Sequence, residues 1–186
     1  MRIIAGSRRS LPLKTIAGTD TRPTTDRIKE TLFNMLQDEV PGAYFLDLYA
    51  GSGQIGLEAL SRGASFAVFV ENVKRAADCI AENIRFTKFE EQSDLMRTDA
   101  VSAIARMEGR YTFDLIFLDP PYESGQEVQT LQCLARSSVL KPDTLIIAEA
   151  ALSTDFSFVE SIGLSMVRQK QYKTNQHVFF KKRNPL

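Results

Sequence analysis

The sequence predicts an α/β fold: a seven-stranded sheet, parallel over five strands and closed by an antiparallel hairpin, with helices on both faces and a small basic N-terminal extension. Three observations predict it. From Phe45 onward, short β-branched or aliphatic runs alternate with segments of helical periodicity, the pattern of strand–helix–strand crossovers. The first of those runs passes through a glycine-rich turn into a helix. The last two apolar runs flank a short polar tetrapeptide, which suits neighbouring antiparallel strands.

The elements follow in chain order. The first fourteen residues, with Ile3, Ile4, Leu11 and Leu13 around Gly6, read as a small hairpin able to stand apart from the core. Residues 1–21 are therefore expected to form a basic extension to a domain spanning 22–186. Arg22-Pro23-Thr24-Thr25-Asp26 places a proline and capping hydroxyls ahead of a helix whose apolar face is Ile28, Leu32, Met35 and Leu36. Strands are expected at 45–49, 66–70, 95–98, 113–118 and 144–149. Ile55, Ala59 and Leu60 mark a helix stopped by Gly63, and Val73, Ala76, Ala77, Ile80 and Ile84 give the spacing of a second. Further helices are expected near 100–108, 126–139 and 154–161. Leu164 to Tyr172 and His177 to Lys182, around Lys173-Thr174-Asn175-Gln176, form the closing hairpin.

With 186 residues, 44% of them hydrophobic, the chain can fill one core. Neither a signal-peptide core nor an apolar run of membrane-spanning length is present, so a cytoplasmic protein is expected. Cys79 and Cys133 have no metal-like or C-x-x-C spacing and fall in helical segments, which argues for free thiols in a reducing compartment. The zero formal net charge conceals an asymmetry. Residues 1–30 carry seven Lys or Arg against three Asp or Glu, and residues 165–186 carry six against none, which leaves the middle strongly acidic. Basic ends suit a polyanionic partner.

The chemistry concentrates at strand ends. Leu46-Asp47-Leu48-Tyr49-Ala50-Gly51-Ser52-Gly53-Gln54-Ile55-Gly56 runs from a strand through a glycine turn into a helix. Backbone at Ala50, Gly51, Ser52 and Gly53, with Asp47 beneath, can approach a cofactor closely, although G-x-G-x-x-G also describes a dinucleotide fingerprint. Glu71 ends the next strand, where a carboxylate can accept both hydroxyls of a ribose. Asp99 ends the third, and with the N–H of Ala100 it can receive an adenine amine and ring nitrogen; each acid could equally cap a helix. Asp119-Pro120-Pro121-Tyr122 follows the fourth strand. An exocyclic base amine is a poor nucleophile because its lone pair is delocalised into the ring. The Asp119 carboxylate and the Pro120 carbonyl can each accept one amino hydrogen, while Pro121 helps stiffen the loop and Tyr122 stacks on the base.

These segments resemble the bacterial 16S ribosomal RNA guanine-N2 methyltransferases of the small-subunit family. The resemblance runs through Arg2-Ile3-Ile4-Ala5-Gly6, Arg22 to Arg27 with Glu30, Leu32, Phe33 and Asn34, Ala50 to Gly53, Leu57 to Ala64, and Asp119 to Tyr122. It departs at Ser7-Arg8-Arg9-Ser10, where the family carries a longer Arg-Gly-Arg tract. The resemblance implies a Rossmann-like class I methyltransferase sheet and S-adenosylmethionine as cofactor; no His, Cys or Asp cluster has metal-ligand spacing, so no metal is expected. It also implies a monomer acting on 16S ribosomal RNA within a small-subunit assembly particle. Together with the charge pattern it assigns RNA contacts, and no part in the cofactor site, to Arg2, Arg8, Arg9, Arg22 and Arg27. Three alternatives stay open on sequence: an adenine-N6 methyltransferase, a dinucleotide-dependent oxidoreductase, and a non-catalytic RNA-binding assembly factor. His177, the only histidine, is expected to be structural and far from the strand ends, and Phe179 and Phe180 to fill the core.

Overall fold

Alternation along each strand sets the layers. The computed structural model describes residues 1–16, 26–122 and 124–183. Its elements are α1 (Asp26–Met35), β1 (Tyr44–Leu48), α2 (Gln54–Ser61), β2 (Phe66–Val70), α3 (Lys74–Thr87), β3 (Ser93–Met96), α4 (Ala100–Met107), β4 (Phe113–Leu118), α5 (Gln126–Arg136), β5 (Leu140–Ala151), β6 (Leu164–Gln171) and β7 (Asn175–Lys182). Phe45, Phe69, Leu115, Phe117, Ile147 and Phe179 face one core, which they share with Leu32 and Phe33 of α1, Leu57 of α2 and Ile80 of α3. The intervening Leu46, Val68, Ile116, Ile146, Val178 and Phe180 face the other core, with Ile104 of α4 and Leu131 of α5. Strands buried on both faces read as continuous apolar runs, as these do.

The strand order is β3-β2-β1-β4-β5-β7-β6. The first five strands pair in parallel, whereas β7 pairs antiparallel with both β5 and β6. The chain winds outward from β1 to β3, then crosses back to lay β4 on the other side of β1. The carboxyl ends of β1 and β4 consequently flank a topological switch point, where open α/β sheets bind ligands.

Three expectations are corrected. The N-terminal residues do not stand apart: the hairpin reduces to one bridge between Arg2 and Pro12, and Ile3 and Leu13 are buried in the first core. Gly6, at φ +82°, lies so close to Ser61 that a Cβ would fall 1.8 Å from its carbonyl oxygen. Glu58 of α2 accepts from the N–H groups of Ile4 (2.7 Å) and Ala5 (3.0 Å) and from Arg62 Nε, while the buried Lys29 ammonium donates to the Arg2 carbonyl. A buried carboxylate with several donors locks the segment to the domain. The expected boundary at 21/22, and Arg22 to Thr25 with it, lies outside the described residues.

The expected helix at 154–161 is a 3-10 stretch, Ser157–Ile162, because Asp155 takes both the N–H and the hydroxyl of Ser157 and draws the chain into a tight turn. The strand expected at 144–149 extends to Leu140–Ala151. Pro142 sits where the β4–β5 register shifts, so Lys141 turns its N–H to Thr144 Oγ1 in place of the ladder. Both cysteines are free thiols.

Candidate cofactor and base-amine site

The glycine loop is built from three directions. Asp47 is almost fully buried, and its Oδ2 accepts from the Gly56 N–H at 2.9 Å, which ties the start of α2 back to β1. Burial pushes its carboxyl up to about 7, opposed by the Gly56 bond and aided by the charge of Glu71. Gly56 admits no side chain, since a Cβ would lie 2.3 Å from the Phe69 ring. Glu71 receives the Gly51 N–H at 2.9 Å and the Val73 N–H at 2.8 Å, so one carboxylate spans the loop and the start of α3. From behind, Asn83 Nδ2 donates to the Ser52 carbonyl at 2.9 Å.

This cradle fits a nucleoside cofactor. A Cβ on Gly51 would meet nothing within 4 Å, so space lies over the loop. The α2 N-terminus has no side-chain cap, and the buried Gln54 Oε1 beside it has no hydrogen-bond partner among the described residues. Asp99 does cap α4, accepting from the Ser102 N–H at 2.9 Å, and that bond holds its carboxyl below the usual range. A second carboxylate oxygen and the buried Ala100 remain at the same strand end.

Across the switch point, Leu48 of β1 pairs with Leu118 of β4, which puts Tyr49 and Asp119 at one level. Tyr49 adopts φ +65°, a left-handed conformation that costs a non-glycine residue energy, and its hydroxyl is held by Thr130 Oγ1 at 2.6 Å. Burial raises the Asp119 carboxyl well above the usual range, with further contributions from the charges of Glu149 and Asp47. Pro120 is buried, whereas Pro121 and Tyr122 are exposed, Tyr122 by half its surface. Ser124 closes the loop by donating its hydroxyl to the Pro121 carbonyl at 2.6 Å.

Several residues went unread in the sequence. His177 is corrected: it is fully buried and adjoins the site, because β7 runs antiparallel and starts at the carboxyl edge, where it pairs with Glu149 of β5. Glu149 ends the strand expected at 144–149 as Glu71 follows the strand at 66–70, and that rule could have found it. Asn83 is a polar residue on the apolar face of α3, beside Ile80 and Ile84.

The N-terminal arginines divide. Arg8 lies against the domain, its Nε donating to the Thr87 carbonyl at 2.8 Å and its guanidinium 5.2 Å from the Phe89 ring centroid. Arg2 reaches Asp26 at 3.2 Å, while Arg9 and Arg27 are exposed. Arg2, Arg9 and Arg62 line a hollow of about 350 Å³ with Asp26, Glu30 and Asn34. The segment also touches the cofactor loop: Met1 Sδ lies 3.4 Å from Ser52 Oγ, and Asn83 bonds both Ser52 and Lys14.

A dinucleotide-binding sheet keeps its sixth strand parallel, whereas here an antiparallel strand enters between β5 and β6, and the fourth strand ends in Asp-Pro-Pro-Tyr. Fold and site together therefore define a class I methyltransferase. The chain belongs to the family described as Conserved hypothetical protein 95, whose profile matches residues 1–181. It is 37% identical over 98% of its length to the whole of YlbH from Bacillus subtilis. It is likewise 37% identical to Ribosomal RNA small subunit methyltransferase D from Haemophilus influenzae, over 80% of this chain and 78% of that one. The solved structure of yhhF from Escherichia coli matches 100% of this chain with 99% of its own, at 30% identity and a TM-score of 0.88.

Proposed function

We propose that this chain transfers the methyl group of S-adenosylmethionine to the exocyclic N2 amine of a guanine in 16S ribosomal RNA. One observation carries the reading: the glycine loop after β1 and the Asp119-Pro120-Pro121-Tyr122 loop after β4 face each other across the switch point. The name of the Haemophilus influenzae relative supports the ribosomal substrate.

S-adenosylmethionine supplies an electrophilic methyl on a positively charged sulfur. Glu71 holds the ribose hydroxyls, and Asp99 with the Ala100 N–H holds the adenine edge. The backbone of Ala50, Gly51, Ser52 and Gly53, propped by Asp47, holds the remainder. Asp119 and the Pro120 carbonyl each accept one amino hydrogen of the base, which re-aims the nitrogen lone pair, and Tyr122 stacks on the ring. A base amine inside a helical stack is out of reach, so the target nucleotide is flipped out or single-stranded. Residues 1–21 act as a basic extension of the domain at 22–186; Arg2 and Arg9 of the extension and Arg22 and Arg27 of the domain meet phosphates, and Arg8 fixes the segment. The enzyme works as a cytoplasmic monomer on a small-subunit assembly particle.

Mass spectrometry of ribosomal RNA nucleosides from cells lacking the protein tests this. Loss of one N2-methylguanine, restored by the wild type and not by Asp119→Ala, is expected. Loss of a methyladenine would assign the adenine-N6 reaction instead, and an unchanged nucleoside profile would overturn the reading.

A further inference from the structure

Behind the Asp-Pro-Pro-Tyr loop lies a buried polar row that the mechanism above does not use. One residue beyond the Leu118–Ala148 register pair, Asp119, which follows β4, stands level with Glu149 of β5, and Glu149 pairs in turn with His177 on β7. Glu149 is 5% exposed and His177 fully buried. Glu149 Oε1 accepts from Asn175 Nδ2 at 2.7 Å, and its Oε2 lies 3.0 Å from His177 Nε2. His177 Nδ1 is 3.2 Å from the Tyr172 hydroxyl, and the imidazole is wedged edge-on between the Phe117 and Tyr172 rings. Burial, aided by the Glu149 charge, raises the Tyr172 hydroxyl to about 12, so it keeps a proton that it can donate to Nδ1. In the neutral tautomer whose Nδ1 accepts from Tyr172, Nε2 carries the hydrogen and donates it to the Glu149 carboxylate. β7 thus hands the Glu149 carboxylate of β5 two side-chain donors, immediately beside the carboxylate that follows β4.

Methyl transfer to an amine leaves a proton to remove. The nitrogen lone pair forms the N–C bond as the S–C bond breaks and its electrons stay on sulfur; the methylated nitrogen, now cationic, sheds one hydrogen as H⁺. We propose that Glu149, its two oxygens fixed by His177 and Asn175, is a positioning residue for Asp119, keeping a carboxylate beside it so that Asp119 takes up this proton and passes it to water as product leaves. The inference rests on the methyltransferase reading above. The charged and titratable groups facing Asp119 among the described residues are Glu149 from β5 and Asp47 from β1, with Glu71 next to Asp47. Both near neighbours are acidic, and burial acts in the same direction, so each raises the hold of Asp119 on a proton.

Carbon-13 NMR of aspartate-carboxyl-labelled protein, with Asp119→Asn identifying the signal, follows the titration of Asp119 without any RNA present. Single-turnover methylation across pH follows its consequence. In Glu149→Gln, which keeps the shape, the Asp119 titration and the acidic limb of the rate profile should both move to lower pH by about one unit, a tenfold change in ionised fraction. His177→Gln retains a donor to Glu149 and should leave both near the wild type, whereas His177→Phe should move them in the same direction as Glu149→Gln. An unmoved Asp119 titration in a folded Glu149→Gln variant overturns the proposal, even with ribosomal RNA methylated normally. A shifted titration in a protein that methylates no RNA overturns the proposed function instead, and the proton-transfer role with it.

Discussion

The side-chain amide of Asn83 donates to the Ser52 carbonyl at 2.9 Å and to the Lys14 carbonyl at 3.1 Å, while its oxygen accepts from the Lys14 N–H at 2.8 Å. One buried amide on α3 therefore ties the cofactor loop to the N-terminal segment. Asn83→Ala leaves a buried carbonyl without its donor, which costs about 1–3 kcal/mol. Denaturant melts should register that loss. Calorimetry should register weaker S-adenosylmethionine binding, and limited proteolysis a more accessible N-terminal segment.

Glu71→Ala removes the contacts expected to the ribose hydroxyls and also frees the Gly51 and Val73 N–H groups. Hydrogen bonds to a charged group contribute about 1.5–3 kcal/mol, so cofactor affinity should fall by roughly one to two decades. Calorimetry on the folded variant measures it, and an unchanged affinity would remove Glu71 from the site.

Asp119→Ala should separate chemistry from binding. Asp119 lies beyond the loop that Glu71 braces, so cofactor affinity stays close to that of the wild type. Single-turnover methyl transfer should fall by about 10²-fold or more, the loss typical of one preorganised partner. Near-normal transfer to RNA would end the assignment of this loop.

Asp47 gives a pH dependence with a definite sign. Its carboxyl is raised from an ordinary 3.8 to about 7 in the folded state, so folding favours its protonated form. That contribution is fully present below about pH 4 and is lost as pH rises towards and through 7. Asp47→Asn keeps an acceptor for the Gly56 N–H and has no such loss. Parallel urea melts from pH 5 to 8, without cofactor, should therefore show the wild type losing stability relative to the variant. Matching pH profiles would rule out the buried, proton-binding state of Asp47.

The arginines should behave differently from one another. An arginine that no longer neutralises a phosphate flattens the slope of log K against log salt by about 0.7–0.9. Arg9→Ala, Arg27→Ala and Arg22→Ala should each show this with little change in stability. Arg8→Ala should instead lower the melting temperature, since it removes the bond to the Thr87 carbonyl and the packing on the Phe89 ring. RNA binding across a salt series checks both halves. Unchanged slopes in all variants would move the RNA site to the basic hairpin around Lys170, Lys173 and Lys181.

Local patterning in the chain is enough to specify the layered fold, the loops that form the site and the residue types at its strand ends. Period-two and helical alternation, glycines where backbone must turn or pack closely, and Asp-Pro-Pro-Tyr directly after an apolar run all act over a few residues. Which distant groups meet is settled by packing. Ile3 and Leu13 look like a detached hairpin until the Gly6–Ser61 contact and the Glu58 carboxylate draw them into the core. Arg8, expected to contact RNA, is laid by packing against the Thr87 carbonyl and the Phe89 ring. His177, near the end of the chain, comes to stand beside Glu149 at the active edge only because β7 runs antiparallel between β5 and β6. Strand direction and order depend on how the two cores are filled across the whole sheet, and that long-range information is absent from the pattern of any single segment.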